Sequence, residues 1–176
     1  MVYNIFMAVL DIKTYPEKVL KEKASYINEL NGETQRLIDD MIETMHNARG
    51  LGLAANQVGI LKRLCVIDLS TQDEKRSRII LINPVIVERE GMIEAEEGCL
   101  SIPGYLTTIK RSEKIFIRGI DRNGKDIEIE GSGLLARALQ HEIDHLEGRL
   151  FIDRMSTLKR EFFKRRYKKM LKERKD

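Results

Sequence analysis

His141-Glu142-Ile143-Asp144-His145 is the stretch of this chain whose residue types and spacing could do chemistry. Residues four apart lie one turn apart on the same face of an α-helix. His141 and His145 can therefore grip one divalent metal between their ring nitrogens. Glu142 leans over the same point without ligating. Many metallohydrolases hold a metal and a general base together with this H-E-x-x-H arrangement. Two His and a Glu also fall at that spacing by chance on polar helix faces. In the longer form of the pattern a third His stands ten positions after the first. Gly148 is in place for it, but Phe151 occupies the His position, so a third ligand has to come from elsewhere.

The chain holds 3 His and 2 Cys, which leaves few candidates. His46 ends an expected helix among polar neighbours and reads as a solvated side chain. Cys65, inside Leu64-Cys65-Val66-Ile67, reads as a small apolar filler of a buried strand. Cys99 stands in Glu96-Glu97-Gly98-Cys99-Leu100-Ser101-Ile102-Pro103-Gly104, a loop or strand edge. A thiolate there would complete a His₂Cys site and leave the fourth position open, as catalytic metal sites do. The alternative is a structural cysteine in a loop.

Those residues need elements to position them. Leu37, Ile38, Met41, Ile42 and Met45 recur at helical spacing and Gly50 follows, which predicts a helix from about Glu33 to Ala48. A Gly-rich segment, Gly50 to Gly59, comes next. Strands are expected at Leu64–Leu69, Ile79–Ile82 and Val85–Glu90. Two more, Ile115–Asp121 and Asp126–Glu130, flank the hairpin turn signal Asn123-Gly124. The helix carrying H-E-x-x-H should run from about Gly133 to Glu147, with Gly148 as its stop. A basic helix should follow from about Thr157 to Lys172. Strands first and mainly antiparallel, with separate helices, predict an α+β fold. Its antiparallel sheets surround a central helix carrying H-E-x-x-H, with one N-terminal and one C-terminal helix.

With 176 residues, 3 Pro and no Gly/Ser-rich stretch, the chain reads as one domain over 1–176 with a basic helix or tail at 157–176. No apolar run approaches the ~20 residues that span a bilayer. The segment from Met1 to Leu10 lacks the basic start and cleavage site of a signal peptide. Two Cys argue against a disulfide framework and fit a reducing compartment. The expectation is a cytoplasmic protein with neither membrane nor DNA as partner. The formal charge of +3 hides an asymmetry. Ten basic and three acidic residues lie between Lys159 and Asp176, so the rest of the chain is net negative.

Three segments together resemble the signature motifs of the peptide deformylases. They are Gly50-Leu51-Gly52-Leu53-Ala54-Ala55-Asn56-Gln57, Glu97-Gly98-Cys99-Leu100-Ser101 and Gln140-His141-Glu142-Ile143-Asp144-His145. Tyr15 to Leu20, Ile82-Asn83-Pro84, Gly119 to Lys125 and the C-terminal helix of the bacterial type fit as well, so the resemblance covers nearly the whole chain. It implies a metal-dependent hydrolase that removes formyl from the N-terminal formyl-methionine of new chains and releases formate. Cys99, His141 and His145 would hold one divalent metal, Fe²⁺ by resemblance, with Zn²⁺, Ni²⁺ or Co²⁺ as substitutes. Ligand types alone suit Zn²⁺ and Fe²⁺ equally. Glu142 would shuttle the proton. The Gln57 side chain and the Leu100 backbone N–H would donate to the developing oxyanion. Leu51 would wall the methionine pocket, with Gly98 also beside the substrate.

Spacing adds to that pocket. Leu134, Ala138, His141 and His145 fall on one helix face, so an apolar strip leads to the metal and suits a flexible thioether. The bland alternative makes Leu134 and Ala138 core residues. Arg137 is expected at the rim with its charge in solvent. Gly50 and Gly52 lack the Lys-Ser/Thr of a phosphate loop. Gly52 would instead let an extended substrate approach the main chain near Leu51. Leu158, Phe162, Tyr167, Met170 and Leu171 should dock the last helix, leaving its Lys and Arg solvated or in contact with ribosomal RNA near the exit tunnel. A zinc endopeptidase would share the helix but leave Glu97 to Ser101 without purpose. An RNA-binding protein with a structural zinc would need a fourth ligand that no residue obviously supplies.

Overall fold

Leu37, Ile38, Met41, Ile42 and Met45 are buried on one side of helix α1, Gly32–Asn47. The Asn31 side chain accepts from the Thr34 N–H at 3.1 Å and caps its start, satisfying one of the orphan donors of a helix N-terminus. The computed structural model describes residues 8–71 and 78–173. The Met1-to-Leu10 reading therefore falls largely outside the described residues, as do the last three residues of the basic tail.

Strands β1 (Gly52–Ala54), β2 (Leu64–Ile67), β3 (Ile79–Glu90), β6 (Lys114–Ile120) and β7 (Asp126–Ser132) form one antiparallel sheet in the order β1-β2-β3-β6-β7. Strands β4 (Ile93–Cys99) and β5 (Ile102–Arg111) form a second, two-stranded sheet. Alternation along β2 sends Cys65 and Ile67 to one face and Leu64 and Val66 to the other. The first pair packs with Ala136, Leu139 and Ile143 of helix α2, Gly133–Leu146. The second packs with α1. The helix carrying H-E-x-x-H thus lies against the main sheet, and the α+β arrangement is the one expected. Gly148 ends that helical segment at φ +70°, where a Cβ would sit 2.5 Å from the Lys21 carbonyl oxygen.

The two strands expected at 79–82 and 85–90 are one strand, β3, with a register shift between Ile82 and Val85. Asn83 holds that bulge at φ +52°. Its side chain donates to the Ile27 carbonyl at 2.8 Å and accepts from the Ile27 N–H at 2.9 Å. Asn tolerates the left-handed region where most residues do not. Strands β1, β4 and β5 were not expected. The Asn123-Gly124 turn is where predicted, with Gly124 at φ +82°.

Helix α3, Thr157–Glu173, docks through Phe163 and Tyr167. These pack with Tyr15, Tyr105 and Phe151. Leu158 and Phe162, expected on that face, are 68% and 63% exposed. Phe162 precedes Phe163 by one residue, a rotation of about 100° around the helix. The inward stripe is Phe163, Tyr167, Met170 and Leu171.

Candidate active site

His141 and His145 project from α2 with their Nε2 atoms 3.3 Å apart. Cys99, the last residue of β4, brings its Sγ to 3.2 Å from His145 Nε2. All three donor atoms lie within 4.8 Å of one another. Ligand bonds of about 2.0–2.3 Å in a tetrahedral site would set donors about 3.3–3.6 Å apart. Burial works to lower the His141 pKa, but the Cys99 sulfur and the Glu97 carboxylate outweigh it and push it up to about 10. Burial, then the charge on His141, pushes His145 well below its usual value. A set that draws in positive charge on one side and keeps a neutral imidazole on the other fits a divalent metal ion.

The other candidates lie elsewhere. Phe151 stacks on the His141 ring at 6.0 Å between centroids, so the position that lacks a ligand supports one. Cys65 is buried, and burial pushes its thiol up. His46 is not simply solvated: its Nε2 sits 3.0 Å from Asp68 Oδ2.

A buried ionic chain holds the ligands. His141 Nδ1 lies 3.2 Å from Glu97 Oε2. Arg111 Nε and Nη2 donate to the two oxygens of Glu97 at 2.8 and 2.9 Å. Arg111 Nη1 also donates to Asp144, which Arg154 grips from the other side with two bonds of 2.6 Å. Burial works to raise the Glu97 carboxyl, but His141 and Arg111 hold it down to about 2. A histidine whose second nitrogen faces a carboxylate has its ring orientation and tautomer fixed.

Glu142, Gln57 and Leu100 line one cavity of about 750 Å³ with Cys99 and His141. Leu51, Gly52 and Gly98 line it too, as do Leu134, Ala138 and Arg137. His145 lies behind, buried. Gln57 is fixed from both ends: its Oε1 accepts from the Ala54 N–H at 2.8 Å, and its Nε2 donates to Ser101 Oγ at 3.1 Å. The same Nε2 is 3.5 Å from Cys99 Sγ. Leu134 is not a plain core residue, being 36% exposed. Ala138 is half-buried, packed with Leu51 against the main core. The Arg137 side chain is mostly covered, at 20% exposed, and its charge is tied at the rim: Nη2 donates to the Glu96 carbonyl in an exposed contact.

The family model of polypeptide deformylase matches residues 9–161. The chain belongs to the peptide deformylase family. It is 61% identical over 162 residues to the peptide deformylase of Thermodesulfovibrio yellowstonii, covering 92% of this chain and 98% of that one. Its fold is similar to a peptide deformylase crystal structure from Legionella pneumophila, with a TM-score of 0.87 and 45% identity over 95% of this chain and 98% of that chain. It is also similar to one from Ehrlichia chaffeensis in complex with actinonin, with a TM-score of 0.86 and 41% identity over 93% of this chain and 98% of that chain. The deformylase is a metal-dependent hydrolase that takes the N-formyl group off the formyl-methionine of newly made proteins and releases formate.

Two parts of this deformylase site escaped sequence reading. Arg111 stands outside all three motifs. Its one signal is register: on β5 it shares the inward parity of Ile109. The use of Gly52 also differs from expectation. A Cβ there would collide with the Glu142 carboxylate, reaching its Cδ at 2.8 Å. The missing side chain is therefore the space the carboxylate occupies. Gly52→Ala should lower kcat for formate release about 100-fold, the scale of a 1 Å misplacement, with metal content unchanged by elemental analysis. A variant that retains wild-type kcat would show that Glu142 tolerates displacement.

Proposed function

We propose that Cys99, His141 and His145 hold one divalent ion, and that Glu142, Gln57 and Leu100 carry out deformylation beside it. The observation supporting this most directly is the convergence of the three donor atoms, with Cys99, His141 and the buried Glu142 lining one cavity and His145 just behind it. When bound, the ion would supply a Lewis acid and bring the pKa of water down to about 7. Glu142 takes a proton from the attacking water and passes one to the amine nitrogen as the C–N bond breaks. The products are formate and a free methionyl amine. Gln57 Nε2 and the Leu100 N–H donate to the carbonyl oxygen as it gains charge. The clamps on Gln57 from Ala54 and Ser101 spare it reorganisation at that moment.

Leu51, Leu134 and Ala138 form the apolar wall for the methionine side chain, and Gly52 and Gly98 line the cavity beside its main chain. β1 ends the five-stranded sheet. An extended peptide can pair main chain to main chain with its edge, which lets the site accept many different sequences beyond methionine. The whole chain acts as one catalytic unit in the cytosol, and no helix among the described residues is long and apolar enough to cross a membrane. Fe²⁺ is the resident metal on family resemblance, with Zn²⁺, Ni²⁺ or Co²⁺ as substitutes.

The test is formate release from a formyl-methionine tripeptide, using protein purified without oxygen and loaded with Fe²⁺. Rapid release that vanishes in Cys99→Ser supports the site. No release from correctly metallated protein sinks it. Stoichiometric zinc with full activity in the protein as purified would overturn the choice of iron.

The basic face of α3 meets the ribosome in this reading, which brings the enzyme to its substrate as the new chain emerges. Lys164, Arg165, Arg166, Lys168 and Lys169 are exposed, and Phe163 and Tyr167 anchor the helix beneath them. Removing the helix would unpack that core, so charge reversal is the cleaner probe. The triple variant Arg165→Glu, Arg166→Glu, Lys168→Glu should bind ribosomes at least tenfold more weakly in low salt, since each phosphate contact adds to the salt slope. Activity on a short peptide controls for folding. Undiminished ribosome binding would leave the charges as a solvated face.

A further inference from the structure

Arg137 is the one cavity-lining cation at the outer end of α2 that the reaction does not use. It stands one turn from His141, about 6 Å along the helix axis from the ligand level. Leu134, three residues before it, is at the open end of the cavity. The stem of Arg137 runs along the wall. Its Nε is buried without a hydrogen-bond partner. Its Nη2 donates to the main-chain carbonyl of Glu96, an exposed contact at the mouth. The nearest carboxylate is Glu97, with Oε1 3.9 Å from Nε. Both oxygens of Glu97 already serve Arg111 and His141. The guanidinium thus has a carbonyl to hold it in place and only a long contact with a carboxylate it shares with Arg111 and His141. A guanidinium carries five donors in a planar fork that matches a carboxylate.

We infer that Arg137 is a specificity-determining residue that reads the peptide beyond the methionine, favouring an acidic side chain at the following position. The methionine side chain fills the apolar strip between Leu51, Leu134 and Ala138, so the next residue reaches the mouth where Arg137 is held. Glu96 also lines the mouth, but its side chain is exposed and screened by solvent, whereas the Arg137 side chain is mostly covered. The inference rests on the assignment of the cavity as the deformylation site.

The test compares formyl-Met-Asp-Ala amide with formyl-Met-Lys-Ala amide, the amide removing the terminal carboxylate. The metal-loaded wild type should favour the Asp peptide about three- to fivefold in kcat/KM, the size of a half-exposed ion pair. KM should carry the difference, because Arg137 does not reach the formyl group. Raising the salt should shrink it. Arg137→Gln keeps a donor for the Glu96 carbonyl and removes the charge, so the ratio should fall to about one. Calorimetric titration with the products Met-Asp-Ala amide and Met-Lys-Ala amide should show the same ratio without turnover. A wild-type ratio of one or below overturns the inference. So does a preference that survives in Arg137→Gln, or a KM that rises equally for both peptides. Failure of the wild type on both peptides would instead strike the assignment of the cavity.

Discussion

Replacing Glu142 with Gln should cost this deformylase about 10²–10⁴-fold in kcat, the usual range for losing a general acid–base group. Metal content should not change. The carboxylate sits over Gly52 and its Oε2 has no hydrogen-bond partner. Burial pushes the group up to about 7 against the pull of His141 and Arg111. A proton acceptor works best near the operating pH, and a lone buried oxygen is free to receive a proton. Gln is close in size and cannot accept one. The check is formate release at saturating peptide alongside elemental analysis of the same sample. Activity within tenfold of wild type would remove Glu142 from the mechanism. Loss of metal would make it a ligand instead.

Arg111→Met should destabilise the protein by about 3–5 kcal/mol, the cost of removing one partner from a buried ionic cluster. Arg111 is fully buried and is the only described group that bridges Glu97 and Asp144. Without it, Glu97 is left buried with His141 and only a long contact from Arg137 at 3.9 Å, and Arg154 alone remains to grip Asp144. The fall should appear as a lower urea midpoint in both metal-loaded and chelator-treated protein. Metal affinity should fall about 10–100-fold, as when the carboxylate behind a ligating histidine is disturbed. A stability loss below about 1 kcal/mol would mean that the cluster is no better than a well-packed apolar one.

The parts legible in the sequence are those whose signal is local. The 3.6-residue period of α1 and α2 and the Asn123-Gly124 turn each lie within a short window, and so do the spacings inside the three motifs. The β4–β5 hairpin was not legible for a physical reason. Along β4 the residues of inward parity are Ile93, Ala95, Glu97 and Cys99, so the alternation of apolar and polar breaks at Glu97. Its charge is acceptable inside because Arg111 lies across the hairpin, 14 residues later. Hydropathy cannot register that pairing before the chain has folded. The docking face of α3 was misread by one residue because Phe162 and Phe163 are adjacent and apolar, and the aromatic cluster that Phe163 meets comes from distant segments. Gly52 was read for what it admits from outside, when the group that needs the space is Glu142.

Among the described residues the two sheets share no backbone ladder. The hairpin packs in its own partly aromatic cluster, and α2 in a separate aliphatic one. Between hairpin and α2 the direct bonds are polar: Arg111 to Asp144, Glu97 to His141, Arg137 to the Glu96 carbonyl, and the Cys99 sulfur at His145. Oil-like contacts slide, but directional bonds hold one alignment. The catalytic centre is therefore also the hinge pin of the molecule. Drift in either greasy core can leave the chemistry untouched, whereas a single change at the pin disturbs architecture and turnover together.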